Sequence, residues 1–313
     1  MPTSFTPLFT GGSGRSGTTI IVNLLQSHPE IHSSLPREIK YITSRYGLVD
    51  LNFGRPIKLE EDLKGVRDNL AASINNRIGK SKEELFLTLL KSKWWKEVGK
   101  KGNPRGLVQG VTEEQLTEIS SRFSSSYKKD LLVASRKLFY ELSSYQFKKD
   151  TVRYFADSTP VNMMQAHFIY QLFPDALFIN MIRDGRDVAY SVSKENWGPS
   201  DPFKALKWWG NRVLVSHQSL SQLPNKQYLE IRLEELIVSD RETQYLKILN
   251  FLGISDHPSV REFFNLEMRP EKMFQGEWKE KVKDPIAFDK EYDKVLSKLR
   301  QQGINIKNYI NQR

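Results

Sequence analysis

Apolar and polar positions along the chain follow two rhythms, one of short buried strands and one of amphipathic helices. The apolar stretch around Leu8–Thr10 runs into the glycines of 12–17, and Ile20-Ile21-Val22-Asn23-Leu24-Leu25 then has the density of a buried helix face. This predicts a strand, a loop and a helix from about Thr18 to Ser27. His28-Pro29 stops that helix, because proline cannot continue the backbone ladder. Ile31–Ser34 predicts a short second strand leading to Pro36-Arg37-Glu38.

The rhythm changes beyond that point. Glu60–Ile78, Lys82–Val98 and Glu113–Phe147 carry apolar residues at helical spacing among many charges. Leu85, Leu87, Leu89, Leu90, Trp94 and Trp95 are expected to pack helices together. The region of about 45–150 is therefore expected to be a helical insertion that shapes a substrate pocket.

Alternation resumes with a strand at Val152–Ala156, a helix at Val161–Leu172, a buried strand at Ala176–Ile182 and a helix at Gly185–Glu195. Asp201-Pro202 reads as N-cap and first residue of a helix carrying Trp208 and Trp209. Tyr228–Arg232 predicts another strand, and Glu242–Leu252 a helix ending at Gly253. Strands alternating with helices give an α/β fold, a mainly parallel sheet flanked by helices. The chain shows no repeats and no linker, so residues 1–313 are expected to form a single domain.

Composition narrows the chemistry. The chain has 313 residues and a formal net charge of +10, which favours phosphorylated or otherwise acidic partners without naming them. With no cysteine, thiolate nucleophiles, disulfides and cysteine metal sites are excluded. No run approaches the roughly 18–20 apolar residues of a membrane span, and the N-terminus lacks a signal-peptide pattern. A cytoplasmic protein without a membrane span is expected.

Gly12-Ser13-Gly14-Arg15-Ser16-Gly17-Thr18-Thr19 has the spacing of a P-loop, but Thr18 stands where a nucleotide triphosphatase places its lysine. Glycines let the backbone approach an anion, and the helix start adds free N–H groups and a positive dipole end. Ser16, Thr18 and Thr19 add hydroxyls, and Arg15 adds charge. A second element, Arg183-Asp-Gly-Arg-Asp-Val-Ala-Tyr-Ser191, follows a buried strand, so Arg183 and Ser191 could converge on one phosphate. The same string also reads as a strand–helix corner capped by Asp184 and braced by Arg–Asp pairs.

Together these elements resemble the sulfotransferases that use 3′-phosphoadenosine 5′-phosphosulfate (PAPS), nearer the tyrosylprotein, Golgi-type and bacterial branch than the cytosolic small-molecule enzymes. The glycine loop looks like their 5′-phosphosulfate loop, and Arg183–Ser191 like their 3′-phosphate motif. Tyr228–Leu236, Phe251-Leu-Gly253 and Phe274-Gln-Gly276-Glu-Trp278-Lys279 match later family segments, the last one closing over the nucleotide. The resemblance covers residues 8–38 and 152–281 and leaves the insertion unmatched.

The resemblance implies PAPS as donor, no metal, and an acceptor hydroxyl, and the basic surplus points to an acidic acceptor. It implies that Gly14, Arg15, Ser16, Gly17, Thr18, Thr19, Arg183, Ser191, Gly276, Trp278 and Lys279 bind the nucleotide. Arg15 is then catalytic as well, and Glu38 is the general base that takes the acceptor proton. His28 and His32 are weaker candidates, since His28 belongs to the helix-ending His-Pro pair. One departure stands out: Asp157-Ser158-Thr159-Pro160 has Ser158 where the family often carries lysine, which shifts weight to Arg15 or to a lysine such as Lys40. Two other readings remain, a P-loop kinase, disfavoured by Thr18, and a non-enzymatic polyanion binder, for which no nucleic-acid recognition motif is present.

Overall fold

The computed structural model describes residues 5–54, 80–98, 102–147 and 151–306. The helical stretch expected at Glu60–Ile78 lies outside these residues. Strand β1 (Thr6–Gly12) enters the glycine loop and α1 (Thr18–Gln26) leaves it. Then come β2 (Ile31–Ser33), α2 (Lys40–Thr43) and α3 (Leu48–Phe53). The insertion contributes α4 (Lys82–Lys91), α5 (Glu113–Tyr127) and α6 (Leu131–Ser144). Next are β3 (Tyr154–Asp157), a 3-10 turn (Pro160–Gln165), α7 (Ala166–Leu172) and β4 (Leu177–Ile182). The remainder comprises α8 (Gly185–Ser193), α9 (Pro202–Leu220), β5 (Tyr228–Arg232) and α10 (Arg241–Leu252). It ends with α11 (Pro258–Glu267), α12 (Trp278–Lys281) and α13 (Pro285–Gln301).

The strands form a five-stranded parallel sheet in the order β2-β3-β1-β4-β5, so the α/β expectation holds. Ile31 pairs with Tyr154 across β2 and β3, and Phe178 with Tyr228 across β4 and β5. By chain membership the residues group into two compact units. The first holds residues through Leu8, Pro29–Thr159 and His167–Ala176, and the second holds Phe9–His28, Pro160–Ala166 and everything from Leu177 on.

In the first unit, the stretch of helical spacing at Glu113–Phe147 forms two helices. Asp130 adopts an extended backbone and accepts a hydrogen bond from Val133 N at 3.0 Å, so it starts a new helix where the apolar spacing reads as continuous. Capping boxes at Ser81/Glu84 and Thr112/Gln115 start α4 and α5. Phe86, Leu90, Trp94 and Trp95 are buried, whereas Leu85, Leu87 and Leu89 are only half-buried. Phe5, Phe139, Phe155 and Phe173 pack ring against ring, and each contributes about 1.5–3 kcal/mol through burial.

In the second unit, Trp208, Trp209, Trp278, Phe288 and Tyr292 are buried in one core cluster. Asp201 caps α9 by accepting from Lys204 N at 2.8 Å, with Pro202 in its first turn, and Gly253 closes α10 in the left-handed conformation at φ 58°. The helix expected at Val161–Leu172 opens instead as the 3-10 turn. Among the described residues no helix is long and apolar enough to cross a membrane.

Candidate functional site

The glycine loop of the second unit is shaped by its backbone. A Cβ on Gly12 would lie 2.4 Å from the Met181 carbonyl oxygen and 2.5 Å from Ser16 Oγ, so only glycine lets β1 turn here. Gly17 caps α1 at φ 94°, and a Cβ there would lie 2.7 Å from Leu233 Cδ1. Arg15 itself has φ 55°, a left-handed backbone at a non-glycine residue inside the loop. Ser16 is fully buried and its Oγ has no hydrogen-bond partner. Gly14 and Thr18 are buried, and Thr19 is exposed at the first turn of α1.

β4 carries the second element to the same place. Arg15 Nε donates to Ser191 Oγ at 2.8 Å, and Arg183 Nη1 donates to the Arg15 carbonyl at 3.1 Å. Arg15 Nη1 also lies 4.0 Å from Glu195 Oε1, and its side chain remains half exposed. Arg183 Nη2 donates to the Phe274 carbonyl, while its buried Nε has no partner. Two sequence strings far apart in the chain thus meet at their basic and hydroxyl side chains.

The corner reading of the second string holds at the same time. Asp184 caps α8, accepting from Arg186 N at 2.9 Å, and its carboxylate takes the Arg186 guanidinium in a bidentate pair. Arg186 also reaches Asp289 at 2.5 Å and lies over the Trp278 and Tyr292 rings. Glu234 Oε1 accepts from Asp184 N at 2.9 Å, and burial pushes its carboxyl up to about 7. Asp187 accepts from Gly276 N at 2.8 Å and is pushed up to about 6, mainly by burial, with Arg183 opposing the shift.

The late segment is held by these contacts. Arg183 ties down Phe274 and Asp187 ties down Gly276, which has φ 80°. Trp278 is buried in the core, 5.7 Å from the Phe288 ring, and Lys279 is exposed. Arg212 lies 4.1 Å over the Trp208 ring and donates to the Ser13 carbonyl at 3.3 Å, so it braces the glycine loop. Sequence reasoning missed Arg212, and its one signal was an arginine beside the tryptophan pair on an amphipathic helix. It also missed the Asp187–Gly276 tie, which joins two strings that were read separately.

In the first unit, Glu38 lies exposed between β2 and α2. The backbone around it is bonded to the end of β3 and the residue that follows. Ile39 N donates to Asp157 Oδ1 at 2.8 Å, and the Arg37 carbonyl accepts from Ser158 N at 2.9 Å. Lys40 forms an ion pair with Glu97 of the insertion, so its ammonium is already engaged with a carboxylate. His28 is buried with its ring 5.8 Å from His257 in the second unit, and His32 stacks on Phe155 in the first. Among the described residues no group of three His, Asp or Glu could hold a metal ion.

Comparison with known proteins gives these arrangements a context. The family model described as "Sulfotransferase family" matches residues 7–258. A protein-tyrosine sulfotransferase of Drosophila melanogaster is 25% identical over 114 residues, 34% of this chain and 23% of that protein. The chain therefore matches about a quarter of the length of that curated relative. The sulfotransferase domain from the curacin biosynthetic pathway aligns over 97% of this chain and 100% of its own, with 14% identity and a TM-score of 0.49. A sulfotransferase of Mycobacterium tuberculosis H37Rv aligns over 93% of this chain and 77% of its own, at 12% identity and a TM-score of 0.48.

Proposed function

This chain belongs to the sulfotransferase family, and we propose that it moves a sulfuryl group from PAPS to an acceptor hydroxyl by in-line displacement. The observation that carries the reading is the 2.8 Å contact of Arg15 Nε with Ser191 Oγ, with Arg183 bonded to the Arg15 backbone. Two motifs that would serve the two phosphate ends of one nucleotide are joined by their own side chains. The buried, unpartnered Ser16 Oγ and Arg183 Nε are donors without acceptors, which suits a ligand rich in anionic oxygens. Thr18 in place of the P-loop lysine suits a donor handled without the ATP–magnesium apparatus.

On this reading Gly14, Arg15, Ser16, Gly17, Thr18 and Thr19 would hold the 5′-phosphosulfate, and Arg183 with Ser191 the 3′-phosphate. Gly276 and Lys279 would close over the nucleotide, with buried Trp278 anchoring their segment to the core. PAPS, when bound, supplies an activated sulfuryl group on a phosphate leaving group. Arg15 would offset charge on the leaving phosphate, a role its half-exposed guanidinium can take by exchanging Ser191 or Glu195 for an anion. Glu38 would take the acceptor proton; it follows the carboxyl end of β2, where loops of parallel sheets carry chemistry. With Lys40 paired to Glu97 and Ser158 in the lysine's place, Arg15 carries the cationic role.

The acceptor bears a hydroxyl, and the net charge of +10 favours an acidic one; a peptide tyrosine, as the name of the fly relative suggests, is one such class. We place the reaction in the cytoplasm. The test is labelled sulfate transfer from PAPS into acceptor panels, combined with thermal shift by adenosine 3′,5′-bisphosphate and by ATP–magnesium. Transfer, with stabilisation by the bisphosphate of about 2.7 kcal/mol at a hundredfold excess over Kd, is expected. Stabilisation by ATP–magnesium alone would overturn the reading.

A further inference from the structure

Glu38 is exposed and lies outside any helix or strand, and the backbone on either side of it is held by hydrogen bonds. Asp157-Ser158-Thr159 supplies most of the bonds to that backbone. Ile39 N–H donates to Asp157 Oδ1 at 2.8 Å. The Arg37 carbonyl accepts from Ser158 N at 2.9 Å, from Ser158 Oγ at 3.1 Å and from Ser34 Oγ at 3.2 Å. Thr159 Oγ1 donates to the same Asp157 oxygen at 2.9 Å, which orients the carboxylate toward Ile39. Asp157 is 1% exposed and Ser158 5%, so these bonds are shielded from competing water. Further back, Leu35 N donates to Gln146 Oε1 at 2.7 Å.

The two peptide groups flanking Glu38 are therefore bonded through buried side chains, while the residue between them faces outward. Ordering a loose loop residue costs backbone entropy, and a base misplaced by about 1 Å can lose two orders of magnitude in rate. A frame that meets this cost during folding keeps the base ready before the acceptor arrives. Ser158 suits the task where a lysine would not. Its short hydroxyl bonds to the carbonyl of Arg37, a residue adjacent to Glu38, and a lysine chain has no donor at that length.

We infer that Asp157 and Ser158 are positioning residues for Glu38, so that the serine in the expected lysine position acts by holding the base rather than by stabilising charge. The inference rests on Glu38 being the base.

The experiment measures kcat, KM for PAPS and the thermal midpoint in Ser158→Ala, Ser158→Thr, Asp157→Asn, Glu38→Gln and the double variant Glu38→Gln/Ser158→Ala. Ser158→Ala should lower kcat by roughly 3- to 10-fold, with KM for PAPS and the midpoint unchanged, because it loses one of three bonds to the Arg37 carbonyl. Ser158→Thr should restore kcat. Asp157→Asn keeps an Oδ1 acceptor and should lose less than threefold. In the Glu38→Gln background, Ser158→Ala should have no further effect, since it acts through the group already removed. An undiminished extra loss there, or no kcat effect of Ser158→Ala in the parent, overturns the inference while leaving the base assignment standing. Full activity of Glu38→Gln overturns the base assignment itself, and the inference with it.

Discussion

The glycine loop and the Glu38 segment are held in opposite ways. The loop at Gly12–Thr19 is shaped by its own backbone: the turn at Gly12 admits no side chain, and Gly17 caps α1 in a left-handed conformation. Of its side chains, Arg15 bonds to Ser191, while buried Ser16 Oγ has no hydrogen-bond partner. The Glu38 segment is fastened from outside, by buried side chains from Asp157 and Ser158. A turn made by glycine backbone admits little change at the glycines themselves. The Glu38 segment depends on side-chain braces, and one of them is Ser158, the position where the sequence reading expects a lysine.

The strongest test of this contrast is to separate transfer from nucleotide binding. Glu38→Gln should lower kcat by about 10²–10⁴-fold, the range of general base catalysis, while adenosine 3′,5′-bisphosphate binding by calorimetry stays unchanged. A comparable loss of nucleotide affinity would erase the distinction between the two regions. Arg15→Ala should come next, with kcat down by about 10²–10³-fold, because it removes the charge offered to the leaving phosphate. Unchanged single-turnover transfer in that variant would remove Arg15 from the chemistry.

Arg183→Ala should weaken adenosine 3′,5′-bisphosphate about 10- to 100-fold, the loss of charge-assisted bonds worth about 1.5–3 kcal/mol. Adenosine 5′-phosphate, lacking the 3′-phosphate, should weaken far less. Equal weakening of both would mean that Arg183 acts only by holding Phe274 and the Arg15 carbonyl. A smaller effect is expected from Gly17→Ala, which sets a Cβ against Leu233 at a φ of 94°. A cost of about 1–2 kcal/mol in urea unfolding follows from the left-handed backbone.

A further test concerns pH. Burial raises Asp187 to about 6 and Glu234 to about 7, above ordinary carboxyls near 4. Between roughly pH 4 and 7 the folded chain then holds more protons than the unfolded one, so these groups make stability fall as pH rises through that window. Urea unfolding across the window should show the decline, and Glu234→Gln, which keeps the acceptor for Asp184 N, should flatten its upper part. An unchanged slope in that variant would show that Glu234 does not titrate there.

Much of this was legible without coordinates. The strand Tyr228–Arg232 and the Asp201–Pro202 helix start carry local signals, in apolar density and turn chemistry, and the structure has both as read. The helical spacing read over Glu113–Phe147 is divided into two helices at Asp130, whose local cap the apolar spacing does not reveal. The tryptophans at 208 and 209 read as core and are core. The role of Arg212 at the glycine loop was not legible because it reaches the loop through the Ser13 carbonyl, a backbone group with no side-chain signature.

By itself the sequence determined the alternation of strands and helices, the glycine loop and the two motif strings, since each is encoded within a few consecutive residues. Only the tertiary structure decided which strings meet. Arg15 reaches Ser191, Asp187 holds Gly276, and Ser158 braces Arg37 because the sheet sets its strand order and brings residues distant in the chain within hydrogen-bond reach. Periodicity and turn chemistry are local, and they contain no record of those pairings. The same serine that reads as a lost lysine along the chain is, in space, a buried donor beside the candidate base.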